Sequence, residues 1–197
     1  LQANSIIWVE GPSDRTYVNR WVHLWSDGKL QEGVHYQCVF YGGRLLAHLQ
    51  ADPGRDGDGV KMFRVNRNAI VIIDSDKYKK GQELNQTKIR IKREIEKING
   101  LVWVTYGREI ENYIGTTLFE KFFNAEDLRK FSRYGEISNY LEKISAGEGQ
   151  KFLKNKVLFA EKISQDFTKQ DIEEHPSDLQ SRIDEVCNRL KEFNRIN

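Results

Sequence analysis

The chain has 197 residues, 39% of them hydrophobic and 30% charged, with a formal net charge of +2. That length suits one sizeable domain, or one domain with a small appendage, and is enough to bury a core. The balance excludes a disordered chain, no apolar run approaches the roughly 20 residues of a membrane helix, and a near-neutral total does not by itself announce a nucleic-acid partner.

Residues 5–9 (SIIWV) read as a buried strand that runs straight into Glu10. Pro12 and Ser13 then open a helix, with Ser13 the expected N-cap. Its apolar positions Val18, Trp21, Val22 and Trp25 recur at helical spacing, and Asp27-Gly28 breaks it. Residues 35–41 (HYQCVFY) read as a second strand, followed across Gly42-Gly43 by a short helix over 44–50. The run 51–59 is rich in turn formers and reads as a loop. Residues 69–73 (AIVII) are apolar throughout, as in a central parallel strand covered on both faces. A basic helix over 83–98 presents Ile91, Ile95 and Ile98 inward and ends at Asn99-Gly100, and 101–105 (LVWVT) is another strand. This alternation predicts a parallel α/β sheet flanked by helices.

After Tyr113 the patterns are helical. The last helix follows Pro176 and Ser177 and carries Leu179, Ile183, Val186, Leu190 and Phe193 on one stripe. The expected division is an α/β core over 1–115 and a helical appendage over 116–197, packed on it.

The acids fall in pairs at strand ends. Asp74 and Asp76 follow the central strand; two apart on an extended chain, they should point the same way. Glu10 and Asp14 follow the first strand, and Glu109 and Glu111 follow the strand at 101–105. Three strands thus deliver carboxylates to the carboxyl edge, where open parallel sheets bind ligands. Such crowding is repulsive unless cations lie between the acids. Hard oxygen donors suit Mg²⁺ or Mn²⁺ rather than zinc, and two such ions can clamp the attacking and leaving oxygens of a phosphodiester. Taken singly, each pair has an ordinary reading; Glu109 and Glu111, for example, would serve as partners for Arg108 and a lysine.

Residues 77–97 hold eight lysines and arginines against three glutamates. Lys77, Lys88, Arg90 and Lys92 are the candidate DNA contacts, and Arg44, beside two glycines, is a further one. A solvated helix face has the same composition. Arg15 is expected to pair with Asp14. Cys38 and Cys187 lack any CxxC partner and read as buried hydrophobes in a reducing cytoplasm. The four histidines show no metal-ligand spacing, and Trp8, Trp21, Trp25 and Trp103 read as core.

The "VEG" closing the first strand and the "IIDSD" closing a later one resemble the signature of the Toprim domain. The wider wording, "VEGPSDRTYVNRW", "YGGRLLAHL", "VIIDSDK", "GREIENYI" and "KVLFAEKI", is similar to the C-terminal Toprim nuclease region of OLD-family proteins over about residues 5–165. The resemblance implies a Toprim fold with a C-terminal helical appendage, and a divalent-metal DNA endonuclease or nickase that uses two Mg²⁺ or Mn²⁺ ions. It implies a metal site of Glu10, Asp14, Asp74, Ser75, Asp76, Glu109 and Glu111. Glu10, Asp74 and an active-site lysine, Lys156, would be catalytic. A lysine over the metals would stabilise charge building on the phosphoryl oxygens.

In that family the region follows an ABC-type ATPase domain. This chain has no GxxxxGK[ST] loop, so ATP would enter only through a domain outside it. Leu1 in place of Met fits a piece of a larger protein, with any oligomer formed through regions outside this chain. Antiviral defence is suggested by the family alone. The competing readings are a non-catalytic nucleic-acid-binding or assembly module, and a DxD-type phosphohydrolase. The latter usually has Thr or Val two residues after its second Asp, where this chain has Tyr78.

Overall fold

The computed structural model describes residues 3–42, 49–50, 60–61, 68–97 and 99–196. The strands in chain order are β1 (Ser5–Val9), β2 (Tyr36–Phe40), β3 (Leu49–Gln50), β4 (Val60–Lys61), β5 (Ala69–Ile73) and β6 (Leu101–Val104). A four-stranded parallel sheet runs in the order β2-β1-β5-β6, with Ile7 level with Cys38 and Ile70, and Ile72 level with Trp103. β3 and β4 form a separate two-stranded parallel pair. The helix expected over 44–50 lies outside the described residues, except that Leu49–Gln50 pair as a strand with Val60–Lys61. The loop expected at 51–59 also lies outside them.

The helices are α1 (Pro12–Trp25), α2 (Gln86–Lys97), α3 (Thr116–Phe123), α4 (Ile137–Ile144), α5 (Glu148–Lys154), α6 (Lys156–Asp166), α7 (Lys169–Glu173) and α8 (Leu179–Asn194), with a 3-10 turn at Ile110–Tyr113. α1 is capped two residues earlier than expected. Gly11 is its N-cap, and the Asp14 carboxylate accepts the Gly11 N–H at 3.0 Å, while Ser13 is buried inside the first turn. Asp14, the third residue of the helix, reaches back to the N-cap N–H, the half of a capping box that an acid at this position supplies. α2 starts at Gln86 rather than 83 because Asn85 Oδ1 accepts the Lys88 N–H at 2.9 Å. Both helices end at the expected breakers. Asp27, Gly28 and Asn99 adopt positive φ, and Gly100 donates to the Ile95 carbonyl.

Alternate residues of the strands face opposite layers. Ile6, Trp8, Ala69, Val71, Ile73 and Val102 pack with Ile91 and Ile95 of α2. Ile7, Val9, Ile70, Ile72 and Trp103 join a larger core with α1, α6 and α8. Trp21 is its hub, fully buried, with Tyr17, Trp103, Tyr113 and Phe167 ring centroids at 5.7–5.9 Å. Such pairs contribute about 0.5–1.5 kcal/mol each beyond area burial. The helices after residue 116 therefore share one continuous core with the sheet. Both cysteines are buried and free. No described helix is long and apolar enough to cross a membrane.

Candidate acidic site at the sheet edge

β1, β5 and β6 are parallel neighbours, so their carboxyl ends share one edge. Each delivers acids there, but the three pairs are held differently. β5 ends at Ile73, and Asp76 has φ of 54°, outside the extended region. The strand alternation expected to aim Asp74 and Asp76 together therefore does not apply. Asp74 turns into the cluster of Asp14, Glu111, Glu10 and Glu109, whose charges, after burial, hold its carboxyl well above the ordinary range. Asp76 is the more exposed of the two, its side chain 66% accessible; it pairs with Lys88 and lies near enough to Glu10 for its charge to act there.

Ser75 fastens this turn to the next strand. Its N–H donates to Thr105 Oγ1 at 2.9 Å, and its hydroxyl donates to the Gly107 carbonyl at 2.5 Å. The Asp76 N–H reaches the Arg108 carbonyl at 2.8 Å. Glu109 and Glu111 are set by the 3-10 turn. Asn112 Oδ1 accepts the Glu109 N–H at 2.8 Å, while its amide donates to the carbonyls of Ser132 and Gly135. Gly107 is required here, because a Cβ would lie 2.3 Å from Asn112 Cβ. The turn is anchored by the Tyr113 hydroxyl, which accepts from Trp103 Nε1 and the Tyr106 N–H and donates to Asp178. Glu109 also accepts the Ile137 N–H at 3.2 Å, tying α4 to the edge.

The carboxyls report their crowding as raised proton affinity. Burial, then the charge of Glu10, pushes Asp14 up to about 6. Burial, then Glu109, pushes Glu111 up to about 8, with Lys156 pulling the other way. Burial, then Asp76, raises Glu10. Lys156 opens α6, with Nζ 3.8 Å from Glu109 Oε2 and 5.1 Å from the Phe152 ring centroid. Desolvation lowers its pKa, but Glu111, Glu109, Asp74 and Asp14 more than offset this and leave it raised. Lys151, by contrast, pairs with Glu148 at 2.5 Å on the surface. Of these two lysines, Lys156 is thus the one drawn to the acids.

The donor set is carboxylate oxygen without histidine or thiol, which fits a hard divalent cation such as Mg²⁺ or Mn²⁺. As the side chains stand, no three Asp, Glu, His or Cys among the described residues converge tightly enough to hold an ion. Mutual repulsion favours such splaying.

The expected basic face is largely internal pairing. Lys88 is buried and donates to the Asp74 carbonyl at 2.6 Å and to the Asp76 carboxylate, so it is not at the surface. Arg90 pairs with Glu94 at 3.0 Å, and Lys92 lies 3.8 Å from Glu96, each at i,i+4. Lys77, Tyr78, Lys79 and Lys80 instead follow Asp76 directly, with Tyr78 61% exposed. Arg44 lies outside the described residues. Arg15 pairs with Glu32 at 2.8 Å rather than with Asp14, and Arg108 pairs with Glu136 at 2.7 Å, leaving Glu109 and Glu111 to the cluster. Sequence reasoning missed Lys88 and Asn112 as parts of the edge. A basic residue at an α2 position facing inward was the one legible sign for Lys88.

The fold is similar to the C-terminal region of the Xanthomonas campestris pv. campestris OLD protein, with a TM-score of 0.50, covering 98% of both chains at 13% sequence identity. No sequence family and no curated protein matches the chain.

Proposed function

We propose that this chain is a divalent-metal-dependent DNA endonuclease or nickase, the nuclease part of an OLD-type protein whose ATPase lies outside it. The observation that carries the reading is the convergence of carboxylates from the ends of β1, β5 and β6 on one edge, with Lys156 beside them. Glu10, Asp14, Asp74, Ser75, Asp76, Glu109 and Glu111 would hold Mg²⁺ or Mn²⁺, Ser75 through its oxygen atoms. The bound cation supplies Lewis acidity toward phosphodiester oxygens.

The chain's own groups do the rest. Lys156 sits on a helix N-terminus with its ammonium over the acids and stabilises charge building on the phosphoryl group. Lys88 offsets the charge of Asp76 and fixes the Asp74 carbonyl, holding the turn rather than touching substrate. Lys77, Lys79 and Lys80 lead away from the acids and attract the flanking backbone. Antiviral defence is a role that the likeness to the OLD C-terminal region makes worth testing.

Incubation with supercoiled plasmid and Mg²⁺ or Mn²⁺, beside an EDTA control, tests the reading. Cation-dependent nicking or linearisation is expected. Intact plasmid at micromolar protein with either ion would return the chain to a non-catalytic binding module.

A further inference from the structure

We infer that Arg133 is a preset clamp for a backbone phosphate of DNA laid across the acidic edge, on its β6 side. This role presupposes the proposed function and adds a residue that no sequence motif picks out. Arg133 lies in the irregular segment between α3 and α4, and that segment is built onto the turn that carries Glu109 and Glu111. The Arg108 N–H donates to the Arg133 carbonyl at 3.1 Å. The Asn112 side chain, which fixes the Glu109 N–H, donates to carbonyls on either side of Arg133, those of Ser132 at 3.0 Å and Gly135 at 3.1 Å. Gly107 lets the two segments meet, since a Cβ there would stand 2.8 Å from the Arg133 carbonyl oxygen.

While its carbonyl is tied inward, Arg133 itself is exposed. Its guanidinium carbon lies 3.5 Å from the Tyr106 ring centroid and 5.1 Å from that of Tyr134, and Nε donates to the Tyr106 carbonyl at 2.8 Å. The plane and the Nε edge of the fork are thus set. Its two terminal amino groups have no acceptor, and its charge no carboxylate partner, among the described residues. The neighbouring Arg108, by contrast, pairs with Glu136 at 2.7 Å. An arginine held flat with its outer edge open matches the paired oxygens of a phosphate, and ordering it in advance spares entropy that a free side chain loses on binding. The segment does not need the guanidinium to stay in place. Phe131 packs on Phe119 and Tyr140, with ring centroids 5.8 and 4.7 Å away, and the Tyr140 hydroxyl donates to the Arg129 carbonyl at 2.6 Å.

The test compares Arg133→Gln and Arg133→Lys with the parent. Binding of a duplex oligonucleotide is followed by fluorescence anisotropy over a range of salt, with Ca²⁺ at a fixed concentration, beside thermal melting of the chain alone. Arg133→Gln should bind about 10-fold to 100-fold more weakly, as loss of a charged hydrogen-bond donor does. Its slope of log affinity against log salt should be shallower by about one. Arg133→Lys should keep the parental slope but bind at least about threefold more weakly, because a point charge lacks the fork. Both should melt within about 4 °C of the parent, the loss of one exposed cation–ring contact.

Parental affinity and slope in Arg133→Gln would overturn the clamp and leave the nuclease reading intact. So would parental affinity in Arg133→Lys, which would reduce Arg133 to diffuse charge. A large fall in melting temperature in both variants would make Arg133 a fastener of its segment, and overturn the clamp too. If Arg133→Gln alone melts low, the affinity and slope of Arg133→Lys decide. A parent chain that binds no duplex at any salt would remove the DNA reading itself, and the clamp with it.

Discussion

Replacing Glu111 by glutamine should stabilise the cation-free chain, and increasingly so as pH rises. Glu111 is 3% exposed, and burial with the charge of Glu109 lifts its carboxyl from 4.5 to about 8. The folded chain thus keeps a proton that the unfolded chain releases. The stability this proton confers is complete below about pH 4.5 and is lost as pH rises through about 8. Such a shift corresponds to roughly 5 kcal/mol at full ionisation, and about 3 kcal/mol at pH 7. Glutamine cannot ionise and resembles the protonated acid, so its contribution stays flat. Parent and variant should match near pH 4.5 and diverge toward pH 9 by about 10–20 °C in melting temperature, at about 2–4 °C per kcal/mol for a chain of this size. Denaturant and thermal melts in EDTA at pH 5, 7 and 9 measure this directly. A gap that does not widen with pH would refute the argument, because it would mean that Glu111 is solvated or already partnered by a cationic group.

Asp74→Ala should abolish cation-dependent plasmid cleavage while circular dichroism stays native, since removing one acid from a repelling cluster relieves the fold; near-parental cleavage by a folded variant would remove Asp74 from the site. Lys156→Ala should lower turnover at saturating DNA by about a hundredfold to a thousandfold with little loss of DNA affinity, as expected for a group that acts on developing charge; parental turnover would make it a surface lysine. Glutamine at Lys77, Lys79 and Lys80 together should weaken DNA binding and reduce the salt slope by roughly three. Glutamine at Arg90 and Lys92, which have glutamate partners, should change that slope much less, and equal effects from both sets would undo the distinction.

The sheet was readable because β1, β5 and β6 are short apolar runs bounded by turn formers and acids, and burial on both faces leaves no other assignment. The helical breakers at Asp27-Gly28 and Asn99-Gly100 were readable because left-handed backbone favours those residues. Helix starts were less so. Asp14 and Asn85 compete with their neighbours as caps, and the winner depends on geometry that composition does not carry.

The grouping of acids followed from strand ends alone, but their inequality did not. Asp76 leaves the extended region, so the period of two that paired it with Asp74 fails at the residue that matters. Lys88 illustrates the same limit. A lysine in a basic run reads as solvent-facing, and only the packed helix reveals that it lies beneath the β5 turn. Lys156 had no local signal. Its importance comes from where α6 begins relative to Glu109, a contact across 47 residues of chain.

That separation orders events during synthesis. The carboxylates of the edge all precede residue 112, whereas the lysine that offsets them opens α6, the helix that packs along α1 and helps cover the Trp21 face. A nascent chain stopped anywhere between the two carries the acids with Lys88 but without Lys156, over a core still open on one side. Completion of the acidic edge is thereby tied to docking of the chain from residue 156 onward, and a half-made protein holds the acids before it holds the lysine that opens α6.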